Sequence, residues 1–303
     1  IAFGPTDRWL LSLPLYHVGG IGILVRGMLS GGTVVLNEIG MALSDMIHTD
    51  GITHLSVVST QLREIVTTAR QRKLAFPTLK AVLLGGGPTS PAIISEAIDL
   101  GLPLHTSYGL SEAASQVTTT APGESALALQ TSGKLLPGRE LRISDDGEIL
   151  IKGETLFQGY LESDSLRLPV DSLGWFHTGD LGYLDGKGDL HVTGRKDNMF
   201  ISGGENIYPE EIEALLKECD GVIDAIVVPV DSEKWGKRPV AFVRFQNCTE
   251  HSQKELRDQF AAKAPKFKIP DHMFPWPVEA PTGLKIGRPY LRDLAEHMVK
   301  SLE

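Results

Sequence analysis

Cysteine is nearly missing from this sequence. Only Cys219 and Cys248 occur in 303 residues, far apart and with no Cys-x-x-Cys. That fits a reduced, cytoplasmic setting and requires no catalytic role of either thiol. Long apolar runs are also lacking. The longest uncharged run, Trp9–Val25, contains Pro14, His17 and three glycines. It falls short of the roughly 20 apolar residues a membrane helix needs, so it reads as a buried loop and helix start. No signal-peptide pattern opens the chain. Basic residues are in deficit, 29 Lys and Arg against 38 Asp and Glu, for a net charge of −9 and a pI near 5.5. Nucleic acid is thereby disfavoured as the main partner. No Walker-type Gly-Lys-Ser/Thr exists, and Gly85-Gly86-Gly87 lacks the spacing of a dinucleotide fingerprint. Gly109-Leu110-Ser111-Glu112-Ala113 is one residue off a nucleophile elbow. Ala113 in the last glycine position and Glu112 directly after Ser111 argue against a hydrolase.

What is present is ordinary globular composition, 42% hydrophobic and 22% charged, in a chain long enough for two domains. Strand-like segments alternate with helical ones. Trp9–Leu13, Thr33–Leu36, Ile52–Val58, Leu79–Leu84 and Leu102–Thr106 read as strands. Ile21–Leu29, Gln61–Arg72 and Pro91–Leu100 read as helices, with Ser59 or Thr60, and then Thr89 or Ser90, as caps. This order implies βαβ units and a largely parallel sheet, whose ligands sit at the carboxyl ends of the strands. Two glycine turns fall there, 85–88 and 107–112. From about residue 130 the pattern becomes β-rich and barrel-like, opened by a hairpin over Asp145-Asp146-Gly147.

A different pattern starts at Gly194-Arg195-Lys196-Asp197-Asn198. A short apolar run leads into Gly203-Gly204, and Pro209 opens an acidic helix with Glu210, Glu211 and Glu213. Beyond it, a helix (209–218), strands (222–230 and 239–246), a helix (252–263) and a last helix near Pro289 form a smaller α+β unit. The expected division is a large domain over 1–196, with its β-rich part at about 130–193, and a small lid over 197–303.

Taken together, the motifs resemble those of the adenylate-forming superfamily of acyl-CoA synthetases, luciferases and peptide-synthetase adenylation domains. Ser107-Tyr108-Gly109-Leu110-Ser111-Glu112 is similar to that family's Tyr-Gly-x-Thr-Glu, with Ser111 for Thr. Gly174-Trp175-Phe176-His177-Thr178-Gly179-Asp180 matches Gly-Trp-x-x-Thr-Gly-Asp. Gly194 to Asp197 with Gly203 to Pro209 matches the hinge. Lys285-Ile286-Gly287-Arg288 matches the end of Gly-Lys-Ile-x-Arg, with Leu284 in place of glycine.

The resemblance implies an α/β fold with a C-terminal lid, and ATP, Mg²⁺ and CoA as reactants and cofactor. An acid attacks ATP to give an acyl-adenylate, and CoA then displaces AMP. Nucleotide contacts would come from Gly85, Gly86, Gly87, Ser107, Tyr108, Gly109, Ser111, Asp180, Arg195 and Lys285. Glu112 would hold Mg²⁺, and Lys285 would stabilise charge between carboxylate and α-phosphate. His17, Arg26, Gly86 and Leu110 would border the acyl group. Gly203, Gly204 and Glu205 would line the CoA channel, and Asp197 would be the pivot. Partners are small molecules, and a homodimer is compatible with the sequence.

Leu11 to Gly20, Ser59 to Leu62, Lys80 to Gly87 and Gly236 to Ala241 resemble the o-succinylbenzoate–CoA ligase branch of menaquinone biosynthesis. One residue adds a physical argument. Arg26 lies in an apolar helix, where a guanidinium requires an anion. That anion is the second carboxylate of the substrate, or an acidic side chain; a third arrangement has Arg26 snorkelling to solvent. His17 is either a wall of the acyl pocket or a core histidine. The family's Thr-Ser-Gly-Thr-Thr-Gly-x-Pro-Lys phosphate loop is expected before residue 1, so these 303 residues alone are expected to adenylate poorly. Three other readings stay open: another aryl- or medium-chain acyl-CoA ligase, a nucleotide-binding module without turnover, and a hydrolase built on Ser111.

Overall fold

A computed structural model describes residues 1–38, 40–162, 165–245, 253–277 and 287–302. The chain divides into two compact units, Ile1–Thr178 with Gly182–Val192, and Gly179–Leu181 with Thr193–Glu303.

The first unit is α/β. Strand β1 (Arg8–Leu11) leads through α1 (Val18–Ser30) to β2 (Thr33–Leu36), then through α2 (Leu43–Thr49) to β3 (His54–Val57). Helices α3 (Ser59–Arg72) and α4 (Pro91–Asp99) flank β4 (Ala81–Leu84), and β5 (Leu104–Leu110) follows. Strands β6 (Ser115–Thr119) and β7 (Lys134–Leu135) complete a sheet of order β2-β1-β3-β4-β5-β6-β7. The pairings from β2 to β5 are parallel, and those of β6 and β7 antiparallel. Parallel neighbours need crossovers, and the helices supply them. Strand β4 is buried at every position, hence its continuous apolar run. Leu62, Ile65, Val66 and Ala69 form one face of α3 and meet Leu10, Val57, Leu84 and Leu104 of the sheet. Each fully buried branched side chain contributes roughly 1.5–3 kcal/mol before entropy is counted.

Three local expectations need correction. Neither Ser59 nor Thr60 caps α3; Val58 is the N-cap, and its N–H donates to Gln61 Oε1 at 3.1 Å. The Ser59 hydroxyl instead donates to Pro88 O at 3.0 Å. Ser90 does cap α4, accepting from Ile93 N at 3.4 Å. Strand β5 does not end at Thr106 but runs to Leu110, because β6 pairs with it from Ser107↔Thr119 to Leu110↔Ser115. Helix α2 had no counterpart in the sequence reading; it turns Leu43, Met46 and Ile47 inward.

A second sheet has order β13-β12-β9-β8, from β8 (Arg139–Ile143), β9 (Glu148–Gly153), β12 (Phe176–Leu184) and β13 (Leu190–Arg195). Strands β8 and β9 are the expected hairpin. A separate antiparallel pair joins β10 (Tyr160–Glu162) and β11 (Ser165–Arg167). Tyr108, Val117, Ile149, Ile151, Phe176 and Leu190 form the core here.

In the second unit, β14 (Phe200–Ser202) and β15 (Glu205–Ile207) are joined by Gly203 and Gly204, at φ 59° and 90°. Positive φ at both central residues is the two-residue hairpin geometry that glycine permits most easily. Then come α5 (Pro209–Lys217), β16 (Val222–Ser232), β17 (Gly236–Phe245), α6 (Gln253–Ala261), β18 (His272–Pro275) and α7 (Arg288–Lys300). The sheet has order β15-β14-β17-β16, with β18 added in parallel to β17. Alternation sends Val227, Ala241 and Val243 towards Ile212, Leu216 and Phe260, and Val228, Val240 and Phe242 towards Leu291 and Ala295. Helices α5 and α6 thus cover one face and α7 the other. Pro209 occupies the first turn of α5, with Glu210 and Glu211 at its positive end.

Candidate active site

The turn after β4 and the end of β5 lie side by side at the carboxyl edge of the parallel strands. Ser107 Oγ donates to Leu84 O at 3.0 Å, and a Cβ built on Gly85 would stand 2.9 Å from that hydroxyl oxygen. Gly85 and Ser107 are therefore brought together, with Gly86 and Gly87 continuing the turn. Along β5, Gly109 cannot carry a side chain, since its Cβ would lie 1.7 Å from Ser115 O. The close approach follows from the register shift between Tyr108 and Gly109. Beyond Leu110, the single turn Ser111–Ala113 ends in Ala114 and Ser115, both at positive φ. Left-handed backbone at two successive non-glycine residues costs energy and tends to cluster at functional sites.

Glu112 lies in that turn. Its carboxylate accepts from Tyr160 Oη at 2.8 Å, and its carbonyl from Phe157 N at 2.7 Å. It is a single hard-oxygen donor held in place. Among the described residues, no group of three or more His, Cys, Asp or Glu could hold a metal ion. The donor set suits Mg²⁺, which commonly takes one or two carboxylates and completes its shell with water and phosphate. Tyr108 is only 9% exposed and packs with Val117, Ile149 and Phe176. Ser111 is exposed, and Leu110 packs against the same core.

Arg26 emerges from α1 to donate to Gln116 Oε1 at 2.8 Å, and its guanidinium carbon stands 5.3 Å from the Trp9 ring centroid. Neither contact supplies negative charge, and no carboxylate among the described residues pairs with it. Burial pushes the guanidinium down from its ordinary range, and the nearby charge of Arg139 presses the same way. His17 is exposed at the N-cap of α1, its ring 4.7 Å from that of Tyr16. It is not a core histidine.

In the second unit, Asp180, Arg195 and Asp197 come together. Arg195 Nη1 donates to Asp180 Oδ1 at 3.0 Å and Nη2 to Asp197 Oδ2 at 3.1 Å. The two acids hold the guanidinium above its ordinary range against the opposing cost of burial. Gly203 lies under the Trp235 ring, where a Cβ would come within 2.7 Å of it, and donates to Trp235 O at 2.9 Å. Gly204 and Glu205 complete that exposed hairpin. Lys285 lies outside the described residues. Sequence reasoning overlooked Tyr160, Gln116 and Trp235; each acts across strands or turns, which no local pattern reveals.

The chain belongs to the AMP-binding enzyme family: that family's model matches residues 1–161, and the model of its C-terminal domain matches residues 211–280. Its relatives include the 2-succinylbenzoate–CoA ligase of Bacillus subtilis (strain 168), 35% identical over 280 residues, covering 88% of this chain and 56% of the relative. The enzyme of that name from Listeria monocytogenes serotype 4b (strain F2365) is 36% identical over 266 residues, covering 87% and 56%. The chain thus spans little more than half the length of the curated relatives it matches. The fold is similar to o-succinylbenzoate CoA synthetase (MenE) from Bacillus subtilis in complex with the acyl-adenylate intermediate OSB-AMP, with TM-score 0.82 and 34% identity over 95% of this chain and 61% of that one. The same enzyme in complex with ATP and magnesium ion gives TM-score 0.81 and 33% identity, covering 95% and 62%. Among the described residues, no helix is long and apolar enough to cross a membrane.

Proposed function

We propose that this chain carries the acyl and nucleotide sites of an ATP-dependent, AMP-forming acid–CoA ligase. Its acid is o-succinylbenzoate, and its setting is menaquinone biosynthesis in the cytoplasm. A carboxylate oxygen attacks the α-phosphorus of ATP, the bond to the bridging oxygen breaks, and pyrophosphate leaves. The sulfur of CoA then attacks the acyl carbonyl, the bond to AMP breaks, and the thiol proton passes to solvent. Membership of the family and the names of the relatives support the reaction class.

Each residue has a physical task in this reading. Gly85, Gly86 and Gly87 present backbone to the flat adenylate, beside Ser107, Gly109 and Ser111. Tyr108, though largely buried, offers adenine the flat face of its ring. Asp180 accepts from the ribose hydroxyls, and Arg195 reaches the same sugar. Mg²⁺ would offset phosphate charge when bound, and Glu112 would hold it. Lys285 stabilises the charge that develops at the α-phosphate. Gly86, Leu110 and His17 border the acyl group. Gly203, Gly204 and Glu205 line the path of pantetheine, and Asp197 is the pivot between the two half-reactions.

The observation that carries the choice of acid is Arg26, half-buried and held by Gln116 without a carboxylate partner among the described residues. o-Succinylbenzoate has two carboxylates. One is activated, and the other supplies the missing charge. A site built to bind a polar group can reject an analogue lacking it by about 10⁴–10⁵. The test is a panel of dicarboxylic and monocarboxylic aryl acids with ATP and CoA, run on the full-length natural chain and on its Arg26→Ala variant. The reading expects strong preference for the dicarboxylate, largely lost in the variant. Equal use of a mono-acid by the unmodified protein would overturn it.

A further inference from the structure

A charged cluster in the second unit has no part in the chemistry above. Arg288, in the first turn of α7, donates through Nη1 to Glu213 Oε1 at 2.5 Å and Val227 O at 2.6 Å. Through Nη2 it donates to Glu210 Oε1 at 3.0 Å and Glu213 Oε2 at 3.1 Å. Glu213 is buried, and its Oε1 also accepts from Val227 N at 2.8 Å. That half of the cluster is a structural anchor of helix on strand.

Glu210 differs. Its Oε1 accepts from Arg288 and also from Asn198 Nδ2 at 2.6 Å. Its Oε2 is buried with no hydrogen-bond partner among the described residues. A Cβ on Gly194 would stand 3.0 Å from that Oε2. A carboxylate with one oxygen unsatisfied is a poor way to add stability, since the orphaned acceptor retains its desolvation cost. Burial is the main cause pushing the Glu213 carboxyl up, and the Glu210 charge adds a smaller push the same way. What Glu210 does provide is a bridge. One oxygen joins Asn198, next to Asp197, to Arg288, three residues after Lys285 in the sequence.

We propose that Glu210 is a positioning residue, coupling the Gly194–Asn198 segment to the Arg288 end of the motif that carries Lys285. The bridge lies wholly within the second unit, so it persists in whatever orientation that unit takes. A side chain at Gly194 would press on Glu210 and require it to shift. The inference rests on the assignment of Lys285 to adenylation.

The test separates the half-reactions in the full-length natural chain. Glu210→Ala removes the oxygen that joins Asn198 to Arg288, while Glu213 still holds Arg288, so the folded lid is expected to persist and the bridge to be lost. Adenylation, read by ATP–pyrophosphate exchange, should fall about 10- to 100-fold in kcat, the effect of a misplaced catalytic group. The KM for ATP and thioester formation from supplied acyl-adenylate should stay within about twofold, because Lys285 serves the first step. Asn198→Ala, which leaves the Arg288–Glu213 pair intact, should show the same selective loss in milder form and decides the matter if Glu210→Ala does not fold. Arg292→Ala, breaking an exposed pair with Glu296 on α7, should change neither step. Undiminished exchange in the Glu210 and Asn198 variants, or equal loss of both steps in folded protein, would overturn the coupling. If Lys285→Ala itself spares exchange, the assignment of Lys285 fails, which is a separate and distinguishable result.

Discussion

The Arg195 guanidinium stands 3.0 Å from the Asp180 carboxylate and 3.1 Å from that of Asp197. Asp180 is the sheltered member, its side chain 14% exposed against 76% for Asp197. A sheltered carboxylate already oriented by an arginine can accept further hydrogen bonds without reorganising. Charge-assisted hydrogen bonds are worth about 1.5–3 kcal/mol each. Asp180→Ala should therefore weaken AMP binding by about 10- to 100-fold, measured by calorimetry. Arg195→Lys should weaken it less, since it keeps the charge and loses the fork. Affinity within twofold of wild type in the Asp180 variant would remove Asp180 from the nucleotide site.

Gly109 makes a sharper claim about the fold than about ligand binding. A methyl there meets the backbone carbonyl of Ser115 at 1.7 Å, and no rotamer change relieves a clash with backbone. Gly109→Ala should cost roughly 3 kcal/mol or more and move the turn that holds Glu112. Gly186→Ala is the control, with nothing within 4 Å of the added carbon. Urea denaturation of both variants would show a large shift of midpoint for the first and almost none for the second. Matching midpoints would mean that β5 and β6 do not hold this register.

Much of the architecture was legible because its signals are local. The crossover helices announce themselves through apolar spacing such as Leu62, Ile65, Val66 and Ala69, and the β8–β9 hairpin through Asp145-Asp146-Gly147. Pro209 marks the start of α5 for an equally local reason. Features made by pairing across the chain were not legible. The extension of β5 to Leu110 depends on β6, and the burial of Tyr108 depends on a core assembled from β9, β12 and β13. Charge relationships fared similarly. Arg26 in an apolar helix was a visible anomaly, but Gln116 as its partner was not, because 90 residues separate them. Glu210 read as an acidic residue of a helix start and Arg288 as the end of a motif 78 residues away, and neither local pattern reveals that the two pair.

The assignment of Lys285 yields a kinetic signature. If it stabilises charge only while the carboxylate attacks phosphorus, its loss affects one transition state and not the other. Lys285→Ala in the full-length natural chain should abolish pyrophosphate exchange, a fall of at least about 10²-fold. Conversion of supplied acyl-adenylate to thioester should stay within about threefold. Equal loss of both steps would assign the lysine to binding or folding instead.

Asp7 ties the start of β1 to the start of β4 and gives a pH dependence with a definite sign. Its Oδ1 accepts from Lys80 Nζ at 2.6 Å and its Oδ2 from Gly4 N at 2.9 Å. The Lys80 hydrogen bond is the main cause holding the carboxyl below its usual value, and the Gly4 N–H adds to it against the cost of burial. A carboxylate depressed in the native state binds fewer protons than in the unfolded chain. Its stabilisation is therefore fully present above the unfolded value of about 3.9 and fades as pH falls through the lower native value. Lys80 is 58% exposed, so solvent screening limits the whole effect to about 1 kcal/mol. Asp7→Asn should lower stability by about that amount at pH 7, and the gap to wild type should shrink steadily below about pH 4. Urea titrations of both proteins at pH 7 and near pH 3.5 would show it, and a gap unchanged between the two would mean that the Asp7 charge contributes nothing.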